Sequence, residues 1–284
     1  MPFQKQFLCP RSESGSILIM CMWILVFFSV LSAGLYSAVS SWIRIAKLTE
    51  DRAAGEGMAN AACVYFQASK KNDVNSYDSF YELNAPVEKN LGMGKFVYSV
   101  VDEESKININ TVSQDTLSKL PGMTNDLAKS VNESELKPFL VKEEIMSVDG
   151  ITQEIFDKCR DFISTYSSGQ ININTAPEEV LIALGVDETV VSARDRYRAG
   201  EDMKDVTEDD GVFENVGEII TKLRQVTALS GAQESLLLQL ISKGALTTAS
   251  KTFCLKITTY ISNRPGMKYN IILDNERIKQ WKEY

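Results

Sequence analysis

The sequence contains no histidine. Histidine is the commonest general base and zinc ligand in proteins, and it completes the usual Ser–His and Cys–His nucleophile pairs. Its absence removes the chemistry on which most familiar enzymes depend. A carboxylate-dependent hydrolase would instead need a recognisable pair of acidic residues, and the sequence has no such motif. We therefore expect a protein that is not an enzyme.

Basic residues are also in short supply. The 284 residues include 30 Lys and Arg against 38 Asp and Glu, which gives a formal net charge of −8. A surface that binds nucleic-acid phosphates needs clustered basic side chains that displace counterions. Nucleic acid is therefore not an expected partner.

Cysteines are few and scattered. Cys9, Cys21, Cys63, Cys159 and Cys254 form no CxxC pair and have no spacing typical of a metal site or a disulfide framework. We expect them to be small buried apolar side chains. If Cys9 is removed with a leader and Cys21 lies in lipid, at most one disulfide could form among the other three, and the choice of pair stays open.

Charge is absent from one long stretch near the N-terminus, from Ile17 to Val39. At about 1.5 Å per residue, a helix of this length crosses a hydrocarbon core of about 30 Å. No A-x-A-like cleavage site follows the run, as it would in an ordinary secretory signal. Lys5 and Arg11 precede the run and favour a cytoplasmic N-terminus, so the rest of the chain would be exported.

The polar, basic leader ends in Gly15, directly before Ser16 and the uncharged helix. This arrangement resembles the prepilin signal, which a membrane peptidase cuts after the glycine on the cytoplasmic side. The resemblance implies a leader of residues 1–15, cleavage between Gly15 and Ser16, and N-methylation of the new N-terminus. A signal anchor that is never cut is the alternative.

The helix continues beyond the span with an amphipathic pattern. Ile45, Leu48, Arg52 and Gly55 alternate with small residues, which permit close helix contacts. We expect one transmembrane and spine helix over residues 16–70. A periplasmic stalk helix would show the same pattern.

The sequence ININT occurs twice, at residues 107–111 and 171–175. In each copy the final threonine, Thr111 or Thr175, precedes Gln or Glu by three residues, which predicts a capping box at a helix start. Apolar residues at helical spacing, a glycine and a second helical pattern follow. Each copy therefore predicts a helical hairpin, with these core positions: Leu117, Leu120, Leu127, Ala128 and Val131 in the first copy, and Leu181, Leu184, Val190, Ala193 and Tyr197 in the second.

The two hairpins resemble helix-hairpin-helix units, which in DNA-binding proteins present backbone amides to phosphates through a Gly-x-Gly turn. The turns here, PGMTN at 121–125 and LGVDE at 184–188, lack that glycine pair and carry Asn or acidic residues. We expect the hairpins to pack within an all-α module. A membrane-tethered DNA-binding protein of a DNA-uptake system is the alternative.

Strand patterns flank this module. The segment Lys95–Asp102 alternates apolar and polar residues, and Thr252–Ile261 places Phe253, Leu255, Ile257 and Thr259 on one face. Arg-Pro-Gly at 264–266 predicts a turn before the next strand, and the final IKQWKEY predicts a last strand that contains Trp281. The sequence thus predicts a small antiparallel sheet.

The chain resembles the general secretion pathway protein K family, the large minor pseudopilins of type II secretion systems. The resemblance lies in the order of its parts: leader, helix, two ININT units and terminal strands. The resemblance implies an α+β fold with a long N-terminal hydrophobic helix, a small antiparallel pseudopilin sheet and an inserted all-α domain with two helix-hairpin-helix-like repeats. Its parts are the leader 1–15, the helix 16–70, the pseudopilin body 71–105 and 246–284, and the inserted domain 106–245.

The resemblance also implies a role. Most filament subunits of this superfamily carry Glu at mature position five, where it pairs with a neighbour's N-terminal amine, whereas this chain has Met20. A carboxylate in hydrocarbon is costly without a partner, so Met20 is typical of a subunit with nothing above it. The expectation is a minor pseudopilin that caps and helps initiate a type II secretion pseudopilus. It would be held in the inner membrane by a single pass, with its globular part in the periplasm.

The implied partners are other minor pseudopilins, the major pseudopilin and the prepilin peptidase. The family resemblance also implies calcium in the globular part. The loop DVTEDDG at 205–211 is the segment that crowds carboxylates, so Glu208, Asp209 and Asp210 are the candidate ligands, although the EF-hand spacing is absent.

Overall fold

The computed structural model describes residues 14–92, 94–261 and 264–284. Internal contacts divide the chain into two compact units, residues 1–54 and 55–284. The helices are α1 (Ser14–Asn72), α2 (Phe80–Asn84), α3 (Gln114–Leu117), α4 (Asn125–Asn132), α5 (Gln153–Cys159), α6 (Glu178–Ala183), α7 (Glu188–Arg198), α8 (Ile219–Val226) and α9 (Gly231–Ser242), with 3-10 turns at Lys142–Ser147 and Val216–Glu218. The strands are β1 (Val87–Leu91), β2 (Gly94–Asp102), β3 (Ile107–Asn108), β4 (Ile163–Ser164), β5 (Ile171–Asn172), β6 (Leu246–Thr247), β7 (Thr252–Ile261), β8 (Arg264–Asp274) and β9 (Arg277–Glu283).

The main sheet is antiparallel, with strand order β1-β2-β7-β8-β9. Its alternating side chains bury one face against the last turns of α1, where Ala59 and Ala62 are fully buried. Gly55 permits this approach, because a Cβ at this position would lie 3.0 Å from the Tyr269 hydroxyl. The predicted strands at 95–102, 252–261 and the C-terminus are confirmed, and Trp281 lies in β9 with its ring 5.5 Å from that of Tyr269.

The helical part consists of two similar units. In the first, β3 pairs in parallel with β4, and helices α3, α4 and α5 lie between them in the chain. In the second, β5 pairs in parallel with β6 and encloses helices α6 to α9. Each ININT segment therefore forms a short strand that closes its unit against a strand at the unit's far end.

The predicted helical hairpins are confirmed. Gly185 directly follows Leu184, the C-cap residue of α6, and Gly122 lies in the turn between α3 and α4. Their φ values of 91° and 80° are left-handed, a conformation that favours glycine. The predicted core positions lie in or against one shared apolar cluster. A second cluster, separate from the first, joins the sheet to α1.

Two local predictions are wrong. Thr111 and Thr175 do not cap helices, since Ser113 caps α3 and Pro177 occupies the N-cap position of α6. The segment Arg264–Gly266 is not a turn, because Arg264 pairs with Ile261 and the three residues begin strand β8. The partner strand β9 reaches β8 only from Tyr269 onward, so proline occupies a stretch where its missing amide removes no bond to β9.

Candidate functional site

The unit formed by residues 1–54 contains the candidate membrane and assembly segment. Helix α1 from Ser16 onward is the one helix within the described residues that is long and apolar enough to cross a membrane. Its large side chains are exposed from Ile17 to Leu48, including Met20 at 64% and Trp42 at 71%. The exposed apolar surface therefore extends beyond the uncharged run, and in the folded unit it is available for lipid or for other helices.

The proposed cleavage position lies at the start of α1. Gly15 and Ser16 are both within the first turn of the helix, which begins at Ser14. Residues 1–13 of the predicted leader lie outside the described residues. The cleavage between Gly15 and Ser16 thus stays a prediction.

Asparagines of the two ININT segments make matching contacts. The side-chain amide of Asn110 donates to the carbonyl of Phe139 at 2.9 Å, and its oxygen accepts from the Phe139 amide at 2.8 Å. Asn174 makes the same pair of bonds with Phe213, at 3.0 and 2.9 Å. The second asparagine of each repeat therefore clamps a distant loop through both hydrogen-bonding ends of its amide.

A cluster of buried acidic side chains joins the sheet to the helical units. Asp102, Glu103 and Glu104 follow one another at the end of β2, and each is less than 5% exposed. One oxygen of Asp102 accepts hydrogen bonds from Thr175 at 2.5 Å, Ser250 at 2.7 Å and Asn172 at 3.0 Å. The cluster connects three parts of the chain that are far apart in sequence, so it fixes the second helical unit against the sheet.

The buried cluster of Asp102, Glu103 and Glu104 forms an acidic junction. At this junction Glu103 and Glu104 bind other parts of the chain. Glu103 accepts from the Ser164 hydroxyl at 2.5 Å and forms an ion pair with Lys106 at 2.6 Å. Glu104 accepts from the backbone amides of Thr252 at 3.1 Å and Ser168 at 3.4 Å. Glu103 thereby anchors the first helical unit, and Glu104 anchors the loop between the two helical units.

The electrostatics of the junction follow from this burial. Desolvation raises the pKa of Asp102 to about 6, although the hydroxyls of Thr175 and Ser250 oppose the shift. Desolvation, together with the negative charge of Asp102, raises the pKa of Glu104 to about 7. Both carboxyls therefore bind protons more readily in the folded protein than in the unfolded chain.

The strand predicted at Lys95–Asp102 ends at this acidic segment, which no sequence pattern marks as buried. Three consecutive acidic residues at the end of an otherwise alternating strand were the available signal. Their burial could not be inferred, because most of the hydroxyl and amide donors come from residues 164–175 and 250–252.

The predicted calcium ligands lie in an exposed loop. One oxygen of Asp209 accepts from the backbone amides of Glu201 at 2.8 Å and Asp202 at 3.1 Å. Asp210 accepts from the amides of Val206 at 3.0 Å and Thr207 at 3.1 Å. In the described part of the chain, no group of three or more acidic or cysteine side chains is arranged to hold a metal ion. The carboxylates of Asp209 and Asp210 thus stabilise the backbone of the loop, and calcium at Glu208, Asp209 and Asp210 stays a prediction.

Three cysteines outside the apolar segment are free, and all three are buried as expected. Cys63 lies in the cluster around α1, Cys159 in the helical cluster and Cys254 on the sheet. Burial raises the pKa of Cys63 and of Cys159 to about 11 and also raises that of Cys254. These thiols are therefore poor nucleophiles at neutral pH.

Comparisons with known proteins agree with this architecture. The helix-hairpin-helix motif family matches residues 102–164, which comprise the end of β2 and the first helical unit. No curated protein sequence matches the chain. Among solved structures, a chain of the GspK-GspI-GspJ complex from the enterotoxigenic Escherichia coli type 2 secretion system superposes with a TM-score of 0.56 at 16% identity, over 81% of this chain and 94% of that chain.

The fold is pseudopilin-like. The predicted α+β class is confirmed, with a long apolar N-terminal helix, an antiparallel sheet and a helix-hairpin-helix domain. At 16% identity the likeness concerns the fold alone.

Proposed function

We propose that this chain is a minor pseudopilin that caps the tip of a type II secretion pseudopilus and helps to initiate its assembly, in a system that exports proteins across the outer membrane. One observation carries the proposal: an exposed apolar helix, suited to a membrane, runs into a pseudopilin-like body. That combination suits a subunit that waits in a membrane and then packs laterally with similar helices.

The proposal places the chain in the inner membrane before assembly, with one membrane pass, a cytoplasmic N-terminus and a periplasmic globular part. The prepilin peptidase would remove residues 1–15, and other minor pseudopilins and the major pseudopilin would contact the exposed face of α1. The role is structural and not enzymatic. The helical units support a tip position, because a head enlarged by residues 106–245 obstructs a subunit that would stack above it.

Met20 allows a direct test of the tip position. In the full chain, co-expressed with companion pseudopilins and the peptidase, Met20→Glu is expected to reduce recovery of the chain with its companions after detergent extraction, because a tip subunit offers the new carboxylate no amine partner. Met20→Leu, which keeps an apolar side chain, serves as the control. Improved recovery of Met20→Glu would contradict the tip position, as would labelled protein found along the whole filament instead of at one end.

The match to the helix-hairpin-helix motif favours one second candidate, a membrane-tethered DNA-binding protein of an uptake system. The hairpins carry Asp187 as the N-cap of α7, which places a negative charge at the turn. Binding of a labelled 20-base-pair duplex to the full chain at 150 mM NaCl would favour this candidate, whereas loss of binding at that salt concentration would oppose it.

A further inference from the structure

A cleft of 780 Å³ lies between the first helical unit and the face of the sheet that does not contact α1. Its floor includes Cys254, Lys256 and Ile272, and its other wall includes Lys142 and Phe156. The cleft lies entirely within residues 55–284. Its volume is within the range of sites that bind drug-sized ligands or a few residues of a peptide.

The charge of this cleft is opposite to that of the whole protein. Three acidic residues line it, against six basic ones, although the chain carries a net charge of −8. A low-dielectric cleft lined mainly by one sign of charge attracts ligands of the opposite sign. The basic residues are Lys106, Lys142, Arg160, Lys256, Lys268 and Lys282.

Some of these basic side chains form ion pairs within the protein, and others do not. Lys106 and Lys282 form ion pairs with Glu103 at 2.6 Å and Glu143 at 3.3 Å. Within the described ranges, by contrast, Lys256 and Lys268 form no ion pair with a carboxylate, and both are exposed. They lie on one face of adjacent strands, because Lys256 is paired with Asn270 and Lys268 with Thr258. An anion on this face would meet two ammonium groups that are not already neutralised.

The opposite wall adds a partly buried cation. The Lys142 ammonium donates to the carbonyl of Arg160 at 2.6 Å, and no carboxylate forms an ion pair with it among the residues that the structure describes. Burial, and then the nearby charge of Lys106, lower the pKa of Lys142. A bound anion would offset both effects, so the cleft gains stabilisation from a negative ligand on each wall.

The cleft also presents apolar surface between its charges. Val101, Phe156 and Ile272 line it alongside the hydroxyls of Ser164 and Thr165. A small inorganic anion would leave these apolar side chains in water, whereas a peptide carries apolar groups between its carboxylates. Glu103, Glu143 and Asp161 within the lining oppose the continuous phosphate backbone of a nucleic acid.

We propose that this cleft binds an acidic peptide segment of another protein, one that alternates carboxylate and apolar side chains. The carboxylates contact Lys142, Lys256 and Lys268, and the apolar side chains pack on Phe156 and Ile272. The site does not depend on the assembly role proposed above, because none of its residues belongs to α1.

The test measures binding of a fluorescein-labelled peptide, Glu-Leu-Glu-Phe-Glu-Leu, to the detergent-solubilised full chain by fluorescence anisotropy. We expect saturable binding that weakens as NaCl rises from 50 to 300 mM, and no binding of the matched peptide with lysine in place of glutamate. The double variant Lys256→Glu/Lys268→Glu should bind at least about tenfold more weakly. Both side chains are exposed, so this variant should keep the melting temperature of the parent.

The control variant Lys204→Glu/Lys243→Glu changes the total charge by the same amount at exposed lysines that do not line the cleft. It should bind the peptide as the parent does. Equal weakening in both double variants would overturn the proposal, since net charge alone would then explain binding. It would also be overturned if inorganic phosphate or a single-stranded oligonucleotide displaced the peptide at a lower concentration than the unlabelled peptide itself.

Discussion

The hydroxyl of Thr175 donates a 2.5 Å hydrogen bond to the carboxylate of Asp102, which ties the second ININT segment to the end of strand β2. Thr111 occupies the same place in the first ININT segment but is exposed to solvent. The two threonines therefore form a matched pair in which the same residue of the same motif has different structural roles.

Replacement of these threonines tests that difference. Thr175→Val should lower the free energy of unfolding of residues 55–284 by about 1–3 kcal/mol, because a buried carboxylate loses a donor. Thr111→Val should change it by less than about 0.5 kcal/mol. Urea denaturation followed by near-UV circular dichroism measures both, and equal effects would show that the bond from Thr175 to Asp102 contributes little.

The asparagine clamps predict a second contrast. Asn174→Asp replaces the amide donor with a second acceptor that faces the carbonyl of Phe213, at a position only 3% exposed. We expect a cost of about 2–4 kcal/mol, from an unsatisfied carbonyl and a buried charge. Asn110→Asp, the matched change beside Phe139, should cost less, because Asn110 is only half-buried. The same denaturation experiment checks the order, and a larger cost at Asn110 would contradict this account of the clamps.

The buried acidic junction predicts how stability depends on pH. The folded-state pKa values of about 6 for Asp102 and about 7 for Glu104 exceed the unfolded values, so the folded protein binds more protons in this range. The stability that these protons contribute is complete below about pH 4 and is lost as the pH rises through 6 and 7. The contribution of the junction to the melting temperature should therefore fall between pH 5 and pH 8.

Glu104→Gln isolates one of these groups. This variant removes the titrating carboxyl, so the melting temperature should fall less steeply with pH than in the parent, whatever its absolute value. Thermal melts at half-unit steps of pH measure the slope. An unchanged slope would mean that Glu104 is already ionised throughout this range.

Arg194 on α7 is a buried cation whose side-chain nitrogens lack hydrogen-bond partners within the described residues. Its side chain is 1% exposed, and its guanidinium lies 3.2 Å from a carboxylate oxygen of Asp195. Even so, none of its three side-chain nitrogens makes a hydrogen bond within the described residues. Desolvation, the largest effect, lowers its pKa to about 10.

An apolar replacement should therefore relieve a penalty. Arg194→Met is expected to raise the free energy of unfolding by about 1 kcal/mol, since buried ion pairs are often no better than apolar side chains of similar size. Arg194→Lys keeps the charge and should not stabilise the protein. Destabilisation by Arg194→Met would show that the buried guanidinium contributes net stability, contrary to this prediction.

Much of the fold could be predicted from local patterns. The period-2 pattern at Thr252–Ile261 and the helical spacing around Leu117 and Leu181 are set by which side chains must be buried, and burial is visible in sequence as periodicity. The uncharged run from Ile17 to Val39 was visible for a different reason, namely its length and apolar composition.

Long-range pairing was not predictable in this way. Ile171 pairs with Leu246 and Asn174 clamps Phe213, and no local pattern specifies such partners. Thr175 has the sequence pattern of a helix cap, yet its hydroxyl donates a hydrogen bond to Asp102 instead. The turn expected at Arg264–Gly266 failed because pairing with β7 continues through residues whose local preference is for a turn.

The proposed assembly role requires that α1 be released from its leader. The most direct measurement is the intact mass and N-terminal sequence of the full chain, extracted from membranes of cells that contain a prepilin peptidase. We expect a chain that begins at Ser16 with a methylated amine. A chain that still begins at Met1 would contradict it.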